Sequence, residues 1–143
     1  MEGQIHITQT NGFRVHTFTA PERGWHVNSH IIEFPSQLLV VDAQYLLPYA
    51  REVVAYSQQL KKPLTRLYIT HYHPDHLLGA AAFSAPIYAL RQVIAKIKVV
   101  GDREEHEKFG DEVNIHINFI HLKGAAFPAL RISSPRRFVS YTL

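Results

Sequence analysis

The stretch Leu64–Gly79 constrains this chain more than any other: a run that reads as a strand, Leu64 to Thr70, leads straight into His71-Tyr72-His73-Pro74-Asp75-His76-Leu77-Leu78-Gly79. Three imidazoles and a carboxylate fall within six residues at the spacing His-x-His-x-Asp-His. Imidazole nitrogen and carboxylate oxygen are the usual ligands of zinc, iron and manganese, and neutral His binds metal near neutral pH without a shifted pKa. The alternative is a solvated, His-rich turn, which would offer no reason for four ligand-type residues to gather there.

The residues on either side predict where such a cluster sits. Ala50, Val53, Val54 and Leu60 recur at helical spacing, with Arg51, Gln58 and Gln59 largely between them, so an amphipathic helix is expected from Leu47 to Leu60. Lys61-Lys62-Pro63 suits its end, the lysines complementing the helix dipole and the proline unable to continue the turn. The helix lies between two predicted strands, Gln37 to Asp42 and Leu64 to Thr70. A strand, helix, strand order predicts parallel pairing with a right-handed crossover. Leu38-Leu39-Val40-Val41 is apolar throughout, as expected of a strand covered on both faces. Ligands gather at the carboxyl ends of strands in open α/β sheets, which is where His71 begins. Pro74 pushes His73 into an extended conformation and pre-sets a first helical turn, with Asp75 at the start of a helix running to Phe83.

Upstream, Asn11-Gly12 predicts a hairpin between Gln4–Thr10 and Phe13–Thr19, and a second strand pair, Asn28 to Phe34 and Gln37 to Asp42, turns around Pro35-Ser36. Downstream, Pro86 to Leu90 reads as a strand and Leu90 to Val99 as a helix. The charged segment from Gly101 to Lys108 reads as solvated helix or loop. The alternation Val113, Ile115, Ile117, Phe119 predicts a strand, with Leu130 to Ile132 and Phe138 to Tyr141 as two more.

Composition narrows the chemistry. With no cysteine there is no thiolate ligand and no disulfide, so any metal must be held by nitrogen and oxygen. At 143 residues, 46% hydrophobic and 19% charged, the chain is expected to form one α/β domain with a mixed sheet over residues 1–143. A net charge of +3 from fifteen basic and twelve acidic residues is a mild excess, so a nucleic-acid partner is not expected. The amino terminus lacks the basic and apolar regions of a signal peptide and no apolar run reaches the length of a membrane span. A cytoplasmic location is therefore expected.

Thr70 to Gly79 resembles the T-H-x-H-x-D-H-x-x-G signature of the metallo-β-lactamase superfamily of hydrolases. The resemblance implies His71 and His73 as ligands of one metal, Asp75 and His76 as ligands of a second, and zinc as the cation, with iron or manganese as alternatives. Val40-Val41-Asp42-Ala43 is similar to the family's strand closed by Asp-Thr-Gly, which implies that Asp42 supports the ligands from outside; as a plain sequence feature it is a strand-terminal turn residue. His121, followed by Leu122-Lys123-Gly124-Ala125, lies where the family's third ligand is sought. The fold implied is an αββα sandwich of which residues 4 to 120 resemble the first half, so a half or truncated sandwich is expected. A homodimer would then cover the missing half.

The activity implied is metal-dependent hydrolysis of a small-molecule ester, thioester, amide or phosphoester, with Asp75 as the proton-handling catalytic residue. A non-catalytic metal-binding or structural remnant, and a nucleic-acid-processing member, are the alternatives. His6, His16, His26, His30 and His106 read as surface or packing residues, with His26 and His30 also candidates for the mouth of the site.

Overall fold

The computed structural model describes residues 1–100. A six-stranded sheet carries β1 (Gln4–Gln9), β2 (Arg14–Thr19), β3 (Asn28–Glu33), β4 (Leu38–Val41), β5 (Leu64–Ile69) and β6 (Ile87–Ala89) in that spatial order. The first four pair antiparallel, and β4, β5 and β6 run parallel. Helices α1 (Leu47–Gln59), α2 (Pro74–Leu77) and α3 (Arg91–Val100) connect or follow the parallel strands. The strands and helices predicted beyond residue 100 lie outside the described residues, as do His106 and His121.

Local chemistry accounts for the turns. In the β1–β2 hairpin Gly12 takes φ 98°, a conformation that costs glycine little, and Thr10 N–H donates to the Phe13 carbonyl at 3.0 Å. The connection between β4 and β5 is the expected helix, with Pro48 in its first turn. Its end differs from expectation: Leu60 caps it, Lys61 turns left-handed at φ 54°, and Lys62 reaches away from the helix axis to Glu33 Oε1 at 2.7 Å and the Phe34 carbonyl at 2.8 Å. Lys62 therefore serves the end of β3 instead of the α1 dipole.

The core joins one face of the sheet, including Phe18, Ile31, Leu38, Val40, Leu67 and Ile69, to Tyr49, Ala50 and Val53 of α1 and to Leu77, Leu78 and Ala80. Full burial of one such large apolar side chain contributes about 1.5–3 kcal/mol, so this face dominates the stability of the sheet. Both faces of β4 are covered, but unequally: Leu38 and Val40 are fully buried, whereas Leu39 and Val41 are half-buried. Strand alternation places the two pairs on opposite faces, and α1 covers the first.

Helix α2 is one turn long and tightens into a 3-10 segment, Leu78–Ala82, where a single α-helix to Phe83 was expected. Gly79 explains the close packing there. A Cβ on this residue would collide with the Ala43 carbonyl oxygen and approach the Ala50 methyl at 2.7 Å, so the segment can lie against the β4–α1 turn only because position 79 has no side chain.

Candidate metal centre

The site forms where β4 and β5 end side by side. Asp42 N–H donates to the Tyr68 carbonyl at 2.8 Å, continuing the parallel ladder, and the chain then turns left-handed with Asp42 at φ 62° and Gln44 at φ 73°. Aspartate tolerates that region better than most residues because its short polar side chain can bond locally. Here the side chain carries the ladder one step further: Thr70 N–H donates to Asp42 Oδ1 at 2.8 Å. Two backbone bonds tie the turn to the next helix, Ala43 N–H to the His76 carbonyl at 2.8 Å and Gly79 N–H to the Gln44 carbonyl at 3.0 Å. Beneath them Ser29 donates to the Asp42 carbonyl at 2.6 Å, and the Gln44 amide donates to Ser29 and to the Val27 carbonyl, both at 3.0 Å.

The cluster is assembled on that frame. His71 leaves the end of β5, His73 caps α2 with extended backbone (ψ 140°), Pro74 opens the helix, and Asp75 and His76 follow within its single turn. The His71 ring lies 4.1 Å from that of His76 and 4.8 Å from that of His73, centroid to centroid. His76 is held between two carboxylates, with Nδ1 2.9 Å from Asp42 Oδ2 and Nε2 3.2 Å from Asp75 Oδ2. Thr70 completes the set, its hydroxyl lying 2.8 Å from Asp42 Oδ2, 3.0 Å from Asp42 Oδ1 and 2.9 Å from His71 Nδ1.

The predicted residues His71, His73, Asp75 and His76 thus share one end of the sheet. Among the described residues, one group of three offers ligand atoms that all lie within 4.8 Å of one another: Asp42, His71 and His76. His73 is exposed and Asp75 half-buried at the edge of this group. Asp42 is both the turn residue that ends β4 and a buried carboxylate in contact with the cluster.

Electrostatics divide the imidazoles. Burial pushes the Asp42 carboxyl upward, but hydrogen bonds from His76, from Thr70 N–H and from the Thr70 hydroxyl outweigh it and leave the pKa below the ordinary carboxylate value. His76 is raised by its hydrogen bond to Asp42, with burial opposing and the charges of Asp42 and Asp75 adding to the rise. His71 is lowered by burial and then by the neighbouring His76 and His73. Asp75 and His76 would help to hold a divalent cation, and His71, lowered by burial, would offer a neutral imidazole beside them. An all-nitrogen and oxygen donor set of this kind suits a divalent cation.

The remaining histidines are dispersed. His6 is exposed on β1, His26 bonds the Ala20 carbonyl at 3.3 Å, and His30 pairs with Thr17 Oγ1 at 3.0 Å on the sheet. His16 is the one the sequence conceals: it is 1% exposed, with Nε2 2.9 Å from Glu33 and Nδ1 2.8 Å from the Tyr56 hydroxyl, at the end of the sheet away from the cluster.

A mixed sheet whose parallel strands end in an imidazole and carboxylate cluster is a scaffold on which a divalent cation could be held. The profile of the Metallo-beta-lactamase superfamily matches residues 23–134, and the chain belongs to that superfamily. Similar solved structures include a metallo-beta-lactamase from Hirschia baltica, 21% identical, covering 81% of this chain and 52% of that one with a TM-score of 0.52. The metallo-beta-lactamase FIM-1 from Pseudomonas aeruginosa, in its mono-zinc form, is 23% identical over 81% of this chain and 50% of its own, with a TM-score of 0.51. At these identities the likeness speaks for the fold. A linear primary-alkylsulfatase from Pseudomonas sp. (strain ATCC 19151) is 37% identical over 54 residues, 37% of this chain. The chain spans about half the length of the two solved structures and 10% of the alkylsulfatase. Among the described residues no helix is long and apolar enough to cross a membrane.

Proposed function

We propose that the chain acts in metal-dependent hydrolysis of a small-molecule substrate, with His71, His73, Asp75 and His76 as ligands and Asp42 as the carboxylate that orients them. Zinc is the cation proposed first, iron or manganese the alternatives, and His121 a further ligand. The observation that carries this reading is His76 held between Asp42 and Asp75, 2.9 and 3.2 Å away, with the His71 ring alongside. Packing gives no reason to gather two acids and three imidazoles at a strand end.

A divalent cation bound there supplies Lewis acidity and lowers the pKa of a coordinated water. The protein's own residues do the rest. Asp42 holds the His76 ring by Nδ1, and in this proposal the Asp75 carboxylate, beside His76 Nε2, accepts a proton at Oδ2 and returns it to a leaving group. Of the substrate classes implied, we favour a primary alkyl sulfate ester, on the local similarity to the Pseudomonas alkylsulfatase.

Elemental analysis of purified protein, with hydrolysis assays on a primary alkyl sulfate, a β-lactam, a thioester and a phosphodiester, tests the proposal. About one or two metal ions per chain are expected, with loss of metal in His71→Ala and His73→Ala and turnover of the sulfate ester above the others. A wild-type protein purified without metal and unable to take up zinc would reject it.

A further inference from the structure

The hydroxyl of Thr70 lies within hydrogen-bond distance of both Asp42 oxygens and of His71 Nδ1, at 3.0, 2.8 and 2.9 Å. A hydroxyl has one proton to donate, and an ionised carboxylate can only accept. The contact with Asp42 therefore takes the Thr70 proton, which leaves the hydroxyl oxygen as an acceptor toward His71. A neutral imidazole carries one N–H, so His71 must hold it on Nδ1 to bond Thr70. His76 meets the same acid directly, Nδ1 to Asp42 Oδ2 at 2.9 Å.

We infer that Thr70 is a positioning residue that relays the Asp42 carboxylate to His71, so that one buried acid sets the ring tautomer of both His71 and His76 and leaves Nε2 of each as the ligand atom. The inference rests on the metal-site reading for its purpose but not for its geometry. Two further observations agree with it. Asp42 is 5% exposed, so water does not compete freely for its oxygens. Its position is fixed independently by the Thr70 backbone N–H at 2.8 Å. Hydrogen bonds to the far nitrogen of a ligating imidazole fix its tautomer and orientation, and their loss typically costs 10–100-fold in metal affinity.

The test uses Thr70→Val, nearly isosteric but without the hydroxyl, and Thr70→Ser, which keeps it. Thr70 is exposed, so neither change disturbs the core. Long-range proton–nitrogen NMR of the metal-free full chain, at a pH where His71 is neutral, reads the tautomer directly. Wild type and Thr70→Ser should show His71 protonated on Nδ1, and Thr70→Val should shift it toward Nε2. Calorimetric zinc titration should then show affinity reduced about 10–100-fold in Thr70→Val and restored in Thr70→Ser. A wild-type His71 protonated on Nε2, or a Thr70→Val protein with unchanged tautomer or unchanged zinc affinity, would overturn the inference. Failure of the wild type to bind zinc would reject the metal-site reading instead, and the tautomer spectra would still decide the role of Thr70.

Discussion

His76 donates its Nδ1 hydrogen to Asp42 Oδ2 at 2.9 Å, a bond that joins residues 34 positions apart and clamps the end of β4 to the helix after β5. The same carboxylate receives Thr70 through both its backbone N–H and its hydroxyl, so three donors converge on one buried acid.

Replacing Asp42 by Ala would strand those donors. Leaving a buried hydrogen-bonding group unpaired costs about 1–3 kcal/mol, and the left-handed turn at φ 62° is less tolerant of Ala than of Asp. Urea denaturation should show a lower midpoint for Asp42→Ala than for Asp42→Asn, which keeps an acceptor and the turn preference. Zinc affinity should fall in both variants, because neither supplies the negative charge that holds His76. Equal stability of Asp42→Ala and wild type would contradict the clamp.

Gly79→Ala tests how tightly the cluster's helix is docked. The added methyl meets the Ala43 carbonyl oxygen, which is backbone, and the Ala50 methyl of α1. Overpacking of this kind typically costs about 1–3 kcal/mol, and the displaced 3-10 segment directly follows the helical turn that carries His76. Loss of stability together with weaker zinc binding is expected, read by urea denaturation and calorimetry. A stability loss with unchanged zinc affinity would mean that His76 keeps its place when the helix shifts.

Much of this arrangement is legible in the sequence, for local reasons. Asn11-Gly12, the helical spacing of Ala50 and Val53, and Pro74 after a strand each act within a few residues, and the structure places the hairpin, α1 and α2 accordingly. What is hidden depends on register. Arg14 stands opposite Glu33 only because β2 and β3 pair as they do, and His16 reaches the same carboxylate from two residues along β2. Nothing in the sequence near His16 reveals that it is buried. The role of Thr70 is intermediate: it sits in the T-H-x-H motif, but its contact with Asp42 requires β4 and β5 to end together.

The Glu33 network makes stability depend on acid. Glu33 is 4% exposed and meets Arg14 Nε at 2.7 Å, Lys62 Nζ at 2.7 Å and His16 Nε2 at 2.9 Å. The Arg14 hydrogen bond lowers its pKa most; burial opposes, and Lys62 and His16 add to the lowering, giving about 2 against an ordinary 4.5. A depressed carboxylate pKa contributes stability that is complete above the unfolded value and is lost as pH falls toward the folded one. Wild type should therefore lose stability between about pH 4.5 and 2, and Glu33→Gln should be less stable at pH 7 with a flatter profile through that window. Urea midpoints measured at intervals from pH 7 to 2 check both; parallel profiles would remove Glu33 as the cause.

His71 and His76 should titrate in opposite directions from the ordinary histidine value of 6.5 in the metal-free chain. Burial and two neighbouring imidazoles lower His71, while the bond to Asp42 and the charge of Asp75 raise His76 despite its burial. As pH falls, His76 gains its proton first and His71 follows only below 6.5. Metal binding needs His76 Nε2 free of its proton, so zinc affinity should decline with acidification already above pH 6.5. For folding of the metal-free chain the sign reverses for His76: a raised histidine pKa contributes stability that is complete below the unfolded value and is lost as pH rises through the folded one. NMR titration of the ring carbons gives the two midpoints, and calorimetry at several pH values counts the protons released by zinc. In Asp42→Asn the His76 midpoint should move down toward that of His71; a midpoint that stays high would assign the shift to Asp75.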